Sequence, residues 1–278
     1  MTTQQTKAAA FAALHSRPGC FVIPNPWDAG TAKMLTTLGF EALATTSSGL
    51  AFALGKIDGT GMVTRSETLE NARQIVEATD LPVAADLENC FAHEPQDAAK
   101  TITMAAAVGL VGGSIEDSTG DAKNPIYDFD LAVARVKAAV AAARALPFQF
   151  LLCARSENFL HSRPDLADTI KRLLAFEAAG ADVLYAPGLN DIAQIKQVIQ
   201  AVKKPVNVLV SSGNAHLTQA ELASAGVKRI SVGGALARAA VGGFLRGAQE
   251  LLDHGTFTYG REAAPFATIN KLILRETS

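Results

Sequence analysis

Residues 82–90 read PVAADLENC, a short apolar run that ends abruptly in two acidic side chains. The Val-Ala-Ala core of the run has no polar side chain, which is typical of a strand buried on both faces of a parallel sheet. Asp86 and Glu88 are two residues apart, so in extended backbone they face the same side. The stretch therefore predicts a buried strand that delivers two carboxylates to one edge of a sheet.

Seven further apolar runs resemble this one, and each is bounded by a turn signal. The eight runs are residues 20–24, 42–46, 83–85, 111–115, 150–153, 183–186, 206–210 and 229–232. Most of them are separated by a stretch long enough for a helix, such as residues 130–146. Apolar strands that alternate with helices indicate a parallel sheet covered by helices.

Proline and glycine alternate in front of these runs. Proline precedes the odd-numbered runs and glycine the even-numbered ones, at Pro18, Pro82, Pro147 and Pro205 and at Gly39, Gly109, Gly180 and Gly226. Each glycine follows a helical stretch, where it suits a left-handed C-cap. A βαβα unit repeated four times suggests a closed array, and eight βα units in about 250 residues have the size of a TIM barrel. We predict one (β/α)8 barrel over residues 1–278, with 245–278 as a helical C-terminal extension. A doubly wound open sheet is the alternative.

Composition narrows the class of protein. The chain has 278 residues, of which 49% are apolar and 19% charged, so a sizeable core is expected. The net charge of -2, without long runs of one sign, argues against a nucleic-acid or polybasic membrane surface. Three distant cysteines without a CxxC motif favour a reducing, cytoplasmic compartment. The Ala-rich N-terminus predicts a leading helix rather than a signal peptide, and no apolar run is long enough to span a membrane.

The predicted strand ends carry polar side chains. In a TIM barrel the active site lies at the C-terminal ends of the strands. The polar residues there are Asn25, Trp27 and Asp28, then Thr45 to Gly49, Asp86, Glu88, Glu116, Asp117, Arg155 and Glu157, with Asn207 within strand 7. We expect several carboxylates and one arginine to converge on one mouth.

The acidic residues suggest a metal site. Bare carboxylates at close range repel each other unless a cation joins them. There is no HxxxH pair or Cys/His cluster, and an oxygen-only set suits Mg²⁺ or Mn²⁺ rather than zinc. The predicted ligands are Asp86, Glu88 and Glu116, with Asp58 as a possible fourth. The alternative is that each carboxylate caps a helix or pairs with a lysine.

Other candidate groups bind anions. Arg155 follows an apolar strand, and its guanidinium suits a carboxylate or an enolate oxygen, unless it pairs with Glu157 or Glu116. Hydroxyl and amide groups of TTSSGL (45–50) offer an anion cradle or merely a turn. Residues 231–240 (SVGGALARAA) suggest either a phosphate-binding turn or tight packing. A Schiff-base lysine at a strand tip and a GxSxG elbow are both missing from the sequence.

The segments SSGL, GKID, PVAADLEN, GGSIEDS and ARSENFL together resemble the isocitrate lyase and phosphoenolpyruvate mutase superfamily over nearly the whole chain. The resemblance implies Mg²⁺, 2-oxo acid substrates and a pyruvate enolate. It also implies a homodimer or homotetramer in which the last helix is exchanged, with the tail from Ala263 as candidate. Asp86 would contact the metal, whereas Glu88, Glu116 and Asp58 would act through waters. The residues implied or predicted to hold the substrate are Arg155, Ser48, Gly49, Leu50, Trp27 and Asn207.

One loop departs from the family pattern. Isocitrate and methylisocitrate lyases carry a Lys-x-Cys-Gly-His-type loop, whereas residues 117–128 read DSTGDAKNPIYD, without Cys or His. Lys123 and Asn124 only partly match the gate loop of the mutases. Tyr127, Lys123 and His216 are the candidates for the acid or base.

The sequence therefore predicts a Mg²⁺-dependent carbon–carbon lyase. Its substrate would be a small 2-oxo or 2-hydroxy di- or tricarboxylic acid, and decarboxylation of an oxaloacetate-like acid fits the same site. The predicted catalytic set is Arg155, Glu116, Asp58 and Tyr127. The alternatives are a C–P mutase or hydrolase of the phosphonopyruvate type and an inactive barrel that binds an oxo acid.

Overall fold

The computed structural model describes residues 2–274. Its strands are β1 (Phe21–Ile23), β2 (Leu43–Ala44), β3 (Val83–Ala85), β4 (Gly112–Glu116), β5 (Leu151–Arg155), β6 (Val183–Tyr185), β7 (Val206–Leu209) and β8 (Arg229–Ser231). Its helices are α1 (Gln4–Ser16), α2 (Ala29–Thr37), α3 (Ser47–Ala53), α4 (Arg65–Glu77), α5 (Pro95–Ala107), α6 (Phe129–Arg144), α7 (Leu166–Ala178), α8 (Ile192–Ala201), α9 (Gln219–Ser224), α10 (Ala235–His254) and α11 (Phe266–Ile273).

The eight strands form one parallel sheet in the order β1-β8-β7-β6-β5-β4-β3-β2. The backbone N–H of Ala44 donates to the carbonyl of Pro24 at 3.1 Å, which joins the two ends of this order. The architecture is a (β/α)8 TIM barrel, so the prediction is confirmed. Every strand overlaps its predicted apolar run and extends at most two residues beyond it, the largest excess being β5, which ends at Arg155.

Local chemistry explains where helices begin and end. The four glycines predicted as left-handed C-caps have φ between 93° and 101°, which L-residues with a Cβ rarely adopt. At the other end, Thr64 and Glu67 form a capping box for α4, which satisfies backbone N–H groups that have no partner within the helix. These signals are local in sequence, and they set the alternation of strand and helix.

Helix α1 closes the N-terminal end of the barrel. Its Phe11 is fully buried in a cluster with Ile23, Ala84 and Leu151 from three strands. A Cβ on Gly112 would lie 2.9 Å from the Phe11 ring, so only glycine allows this approach. The predicted leading helix is confirmed. Because α1 covers the N-terminal end of the barrel, any cavity in the barrel opens at the C-terminal ends of the strands.

His15 lies in this helix and gives the first prediction. Its Nδ1 is 2.8 Å from the carbonyl of Phe11, and its buried Nε2 has no hydrogen-bond partner. Burial, and secondly the charge of Arg229, lowers the pKa of His15 to about 3. The unfolded chain binds a proton near the ordinary pKa of 6.5, whereas the folded chain does not. Folding stability should therefore fall from pH 6.5 toward pH 3, by up to about 1.4 kcal/mol per pH unit from this group.

Chemical denaturation at pH 6.5 and 5.0 measures this effect. We expect the loss of stability between the two pH values to be about 1.5 kcal/mol smaller for His15→Gln than for the wild-type chain. His254→Gln, at the exposed end of α10, is the control and should follow the wild type. Equal losses for His15→Gln and the wild type would contradict the assignment.

The C-terminal helices differ in their packing. Helix α11 lies against α2 of the same chain, where the Thr37 hydroxyl donates to the carbonyl of Leu272 at 2.9 Å. Helix α10 runs through residue 245 without a break and leaves Phe244 71% and Leu252 81% exposed. The last four residues of the predicted extension, 275–278, lie outside the described residues. None of the helices in residues 2–274 has the length and apolarity needed to cross a membrane.

Candidate active site

Asp86 lies directly beyond β3 at the C-terminal mouth of the barrel. Its backbone N–H donates to the Thr45 hydroxyl at 3.0 Å. Its carboxylate accepts from the Ser47 hydroxyl at 3.0 Å and from the Ser114 hydroxyl at 3.4 Å. The chain then turns at Glu88, which has a φ of 47°. Hydroxyls from the start of α3 and from β4 thus fix the orientation of the Asp86 carboxylate.

Arg155, the last residue of β5, is the centre of the acidic cluster. Its Nη1 lies 2.8 Å from Asp86, its Nη2 lies 3.2 Å from Glu116, and its Nε lies 2.7 Å from Glu157. The ring of Tyr185 lies on one side of the guanidinium, 5.1 Å from its central carbon. One arginine therefore joins carboxylates that follow three different strands, as the predicted convergence requires.

The acids have perturbed pKa values. Burial first, and then the charges of Asp86 and Asp58, raise the pKa of Glu88 to about 7. Burial also raises the pKa of Glu116 well above its ordinary value. On the loop after α3, burial and then the Asp86 charge raise the pKa of Asp58. The negative charge of these carboxylates, when ionised, exceeds the single positive charge of Arg155. A cation would therefore stabilise their ionised forms.

A cavity of 760 Å³ opens over this cluster. Asp58, Glu88, Glu116, Arg155 and Glu157 all line it. The structure thus brings together most of the predicted acidic and basic set. Asp86 itself lines a second, smaller cavity of 70 Å³ inside the barrel, and Arg155 lines both cavities. The Asp86–Arg155 pair therefore lies at the boundary between the mouth and the barrel interior.

The loop after Glu88 is strained and held by a buried arginine. Cys90 and Phe91 both have positive φ values, 59° and 55°, which L-residues rarely adopt. Arg135 of α6, only 1% exposed, donates to the carbonyls of Asn89, Ala92 and His93. Holding three carbonyls with one guanidinium offsets the strain and keeps the turn at Glu88 in place.

Asp117 and Arg172 tie two strand ends together beneath the cluster. Asp117 accepts from the backbone N–H of Glu157 at 2.8 Å and pairs with Arg172 at 3.2 Å. Arg172 also donates to the carbonyl of Tyr127 at 3.0 Å and to Asp168 at 2.7 Å. This network sets the distance between Glu116 and Glu157, the residues on either side of it.

Removing Arg172 should destabilise the fold strongly. The side chain of Asp117 is only 1% exposed, and Arg172→Met leaves that carboxylate buried without its counterion. We expect a loss of about 3 kcal/mol in the free energy of unfolding. The double variant Asp117→Asn/Arg172→Met should recover most of it, because a neutral amide still accepts from Glu157. Urea unfolding of the wild type, Arg172→Met and the double variant measures these differences in stability. A double variant no more stable than Arg172→Met would refute the pairing.

The residues predicted to cradle an anion start helix α3. Gly49 packs so closely that an added Cβ would lie 2.6 Å from Thr46 and 2.9 Å from Trp27. Trp27 lines an apolar cavity with Phe52 and Phe244 rather than the acidic cavity. Ser48 and Leu50 flank Gly49, and Leu50 is buried in a small apolar cluster. The structure therefore separates Trp27 from the acids, although both belong to the predicted set.

The glycine turn after β8 is used for packing. A Cβ on Gly234 would lie 2.3 Å from the Ser48 hydroxyl. The backbone N–H groups of Val232 and Gly233 already donate to Asn25 Oδ1, at 3.0 and 2.9 Å. Of the two readings of this turn, tight packing is the one that these contacts support.

The candidate acid–base residues lie away from the acidic cluster. Tyr127 is 6% exposed, its hydroxyl is 2.6 Å from His93 Nδ1, and Arg135 lies over its ring. Lys123 and Asn124 are exposed at the tip of a small hairpin that begins at the Ser118–Ile126 bridge. His216 is exposed in the loop after β7. None of these residues lines the 760 Å³ cavity.

Sequence reasoning missed some polar residues. Ser47, which orients Asp86, was predicted only as part of an anion cradle, and Ser114 and Arg229 fell inside runs read as apolar strands. Arg229 and Ser231 are two apart in β8, so both point into the barrel with Asn207 of β7. The available signal was this spacing of two, which marks one face of a strand.

The donor set fits a hard divalent cation, since Asp58, Asp86, Glu88 and Glu116 offer only oxygen atoms. Among residues 2–274, no three carboxylate, imidazole or thiol side chains are already arranged to hold an ion. Arg155 instead contacts Asp86 and Glu116 directly. The oxygen-only chemistry of the donors and the raised pKa values of Asp58, Glu88 and Glu116 both suit a cation.

Comparisons with known proteins agree with the fold. The pattern of the phosphoenolpyruvate phosphomutase family matches residues 11–252. A protein of Mycobacterium tuberculosis (strain ATCC 25618 / H37Rv) described as uncharacterized is 31% identical over 224 residues, 81% of each chain. Oxaloacetate decarboxylase of Marinomonas sp. (strain MWYL1) is 27% identical over 229 residues, 81% of this chain and 77% of that protein.

Solved structures give the same result. A crystal structure from Burkholderia cenocepacia J2315, described as a lyase/mutase, is 55% identical with a TM-score of 0.95 and covers 98% of this chain and 97% of that chain. The barrel and its arginine-centred acids define a protein of the isocitrate lyase and phosphoenolpyruvate mutase superfamily. Within it, the chain belongs to the phosphoenolpyruvate phosphomutase family, which confirms the resemblance found in the sequence.

Proposed function

We propose that the protein is a carbon–carbon lyase that depends on a divalent cation and acts on a small 2-oxo or 2-hydroxy carboxylic acid. The observation that carries the proposal is the contact of Arg155 with Asp86, Glu116 and Glu157 at the barrel mouth. A guanidinium held in place by these acids suits a reaction in which negative charge develops on an oxygen atom. Relatives named oxaloacetate decarboxylase support the lyase class.

Arg155 would bind and orient the acid. Glu157 is 2% exposed, and its carboxylate accepts a hydrogen bond from Nε of Arg155. This contact fixes the plane of the guanidinium. The two remaining nitrogens, Nη1 and Nη2, are the ones directed at Asp86 and Glu116. A fork of two donors matches a carboxylate or an enolate oxygen. Because the fork is held before substrate arrives, it stabilises developing charge without reorganisation.

Mg²⁺ is the cation that we propose, with Mn²⁺ as a substitute. Asp86 would hold it, together with Glu88, Glu116 and Asp58, directly or through water. When bound, the ion would supply electrostatic stabilisation of the substrate's oxo and carboxylate oxygens. The chain's own part is to orient the Asp86 carboxylate through the Ser47 hydroxyl.

A homo-oligomer and a cytoplasmic location are the further parts of the proposal. The exposed apolar residues of α10, Phe244 and Leu252 among them, support an association of subunits. Light scattering of the purified chain tests the oligomer.

Product release from a panel of acids tests the function. Mg²⁺-dependent formation of pyruvate or another oxo acid from 2-oxo and 2-hydroxy di- and tricarboxylates is the expected result. Turnover should require the acid cluster, so Glu116→Gln should abolish it. No product from any panel member, despite binding, would favour a barrel that only binds oxo acids.

Cleavage or transfer at a C–P bond is the second candidate, because the matching family is described as a phosphomutase. Phosphonopyruvate belongs in the same panel for this reason. Release of inorganic phosphate, or formation of phosphoenolpyruvate, without C–C cleavage would establish this candidate in place of the lyase.

A further inference from the structure

Arg229 is a buried cation inside the barrel. It is 7% exposed, its Nε donates to Asn207 Oδ1 at 2.8 Å, and its Nη2 lies 3.1 Å from Cys153 Sγ. Within residues 2–274, no carboxylate forms an ion pair with it. A guanidinium has five N–H donors, so these two contacts leave donors to spare. Burying an unpaired charge destabilises the folded chain. We therefore expect an arginine in this position to have an anionic partner.

The space beside Arg229 is polar and large enough for one. The interior cavity has a volume of 70 Å³. One water molecule needs about 15 Å³ of such space, so the cavity can hold a larger group. Besides Arg229, its polar lining includes Asn25, Asn207, Ser231 and Tyr185. Asp86 is the one carboxylate among the described residues of the lining, and it is already bonded to Arg155 and Ser47. From the part of the chain that the structure describes, the cavity therefore receives hydrogen-bond donors and positive charge but no free anion.

The cavity also adjoins the proposed site. Arg155 lines both this cavity and the larger one at the mouth, and Arg229 lines the inner one. We propose that Arg229, with Asn207 and Ser231, forms an anion subsite for the second carboxylate of a dicarboxylic acid whose first carboxylate lies at Arg155. The inference rests on the proposed function, and it names the substrate class as dicarboxylic.

The subsite would reject monocarboxylic analogues. A methyl group in place of the second carboxylate leaves Arg229 unpaired, and a site built around a buried polar group discriminates strongly against a ligand that lacks the partner. The second carboxylate of a dicarboxylic acid instead accepts hydrogen bonds from the free N–H groups of Arg229, whose guanidinium Asn207 already orients. Substrate choice thus depends on the barrel interior rather than on the loops of the mouth.

Equilibrium binding of two stable acids tests the subsite. Malate and 2-hydroxybutyrate differ only in a carboxylate against a methyl group, and their affinities are measured by calorimetry with Mg²⁺ present in both titrations. We expect the wild-type protein to prefer malate by about tenfold or more. In Arg229→Met the preference should fall to about twofold or less, while the affinity for 2-hydroxybutyrate stays within about twofold.

A second variant protects the test against misfolding. Asn207→Asp places a carboxylate next to Arg229, which supplies the missing counterion from the chain itself. The variant should melt at or above the wild-type temperature and lose the preference for malate. Arg144→Met, which removes an exposed arginine paired with Asp182, should keep the preference.

The outcomes separate the subsite from the proposed function. A malate preference that survives in Asn207→Asp, or equal weakening of both acids in Arg229→Met, overturns the subsite. If the panel shows no turnover but the preference still depends on Arg229, the subsite stands and the lyase proposal fails. Turnover of oxo acids together with a preference independent of Arg229 leaves the lyase and removes the subsite.

Discussion

Replacing Arg155 by lysine should lower kcat/KM by roughly 10²–10³-fold, the loss typical of removing a donor aimed at developing charge. Lysine keeps the positive charge, but a single ammonium cannot replace the three directed contacts to Asp86, Glu116 and Glu157. The carboxylate and enolate oxygens of the substrate then lose a two-pronged donor. Steady-state kinetics on the best acid of the panel measures the effect.

The control for Arg155→Lys is Arg144→Lys. Arg144 lies near the first residue of β5, whereas Arg155 is the last residue of that strand. Arg144 is paired with Asp182 near the start of the strand, and its side chain is 44% exposed. Its replacement should leave kcat/KM within about twofold, in line with the small contribution of exposed pairs. Circular dichroism must show that both variants are folded. Activity of Arg155→Lys within fivefold of the wild type would contradict the role given to the guanidinium.

Removing divalent cations should abolish activity, and Mg²⁺ or Mn²⁺ should restore it. The carboxylates at the mouth outnumber the arginine, and the raised pKa values of Glu88 and Glu116 reflect burial without enough compensating charge. A cation that binds only the folded chain also stabilises it by mass action. We therefore expect Mg²⁺ to raise the melting temperature of the chelator-treated wild-type protein.

Asp86→Asn should remove both effects. The amide keeps the size of the side chain and can still accept from Ser47, but it binds a hard cation poorly. Activity should fall by about 10²-fold or more, and Mg²⁺ should no longer raise the melting temperature. Asp97→Asn, at an exposed pair with Lys100, is the matched control and should respond like the wild type. An undiminished Mg²⁺ shift in Asp86→Asn would show that the cation binds elsewhere.

The sequence predicted the placement of residues best where they end or directly follow a strand. Asp86, Glu88, Glu116 and Arg155 meet at the mouth because parallel strands all end at one face. It predicted placement least well for Trp27 and Tyr127, which lie outside the acidic cavity. Both are large side chains whose direction depends on neighbours far along the chain, Gly49 and Phe244 for the first and His93 and Arg135 for the second.

By itself, the sequence determined the alternation of strands and helices, the left-handed glycines that end the helices and the face on which each strand presents its polar residues. These are consequences of backbone sterics and of a two-residue repeat, which act over a few neighbouring positions. Only the tertiary structure decided that Arg155 contacts three acids, that Arg135 holds the turn after Glu88, and that Arg229 lies in the interior without a counterion among residues 2–274. Those contacts join side chains from separate strands and helices, and their distances are set by the closure of the barrel.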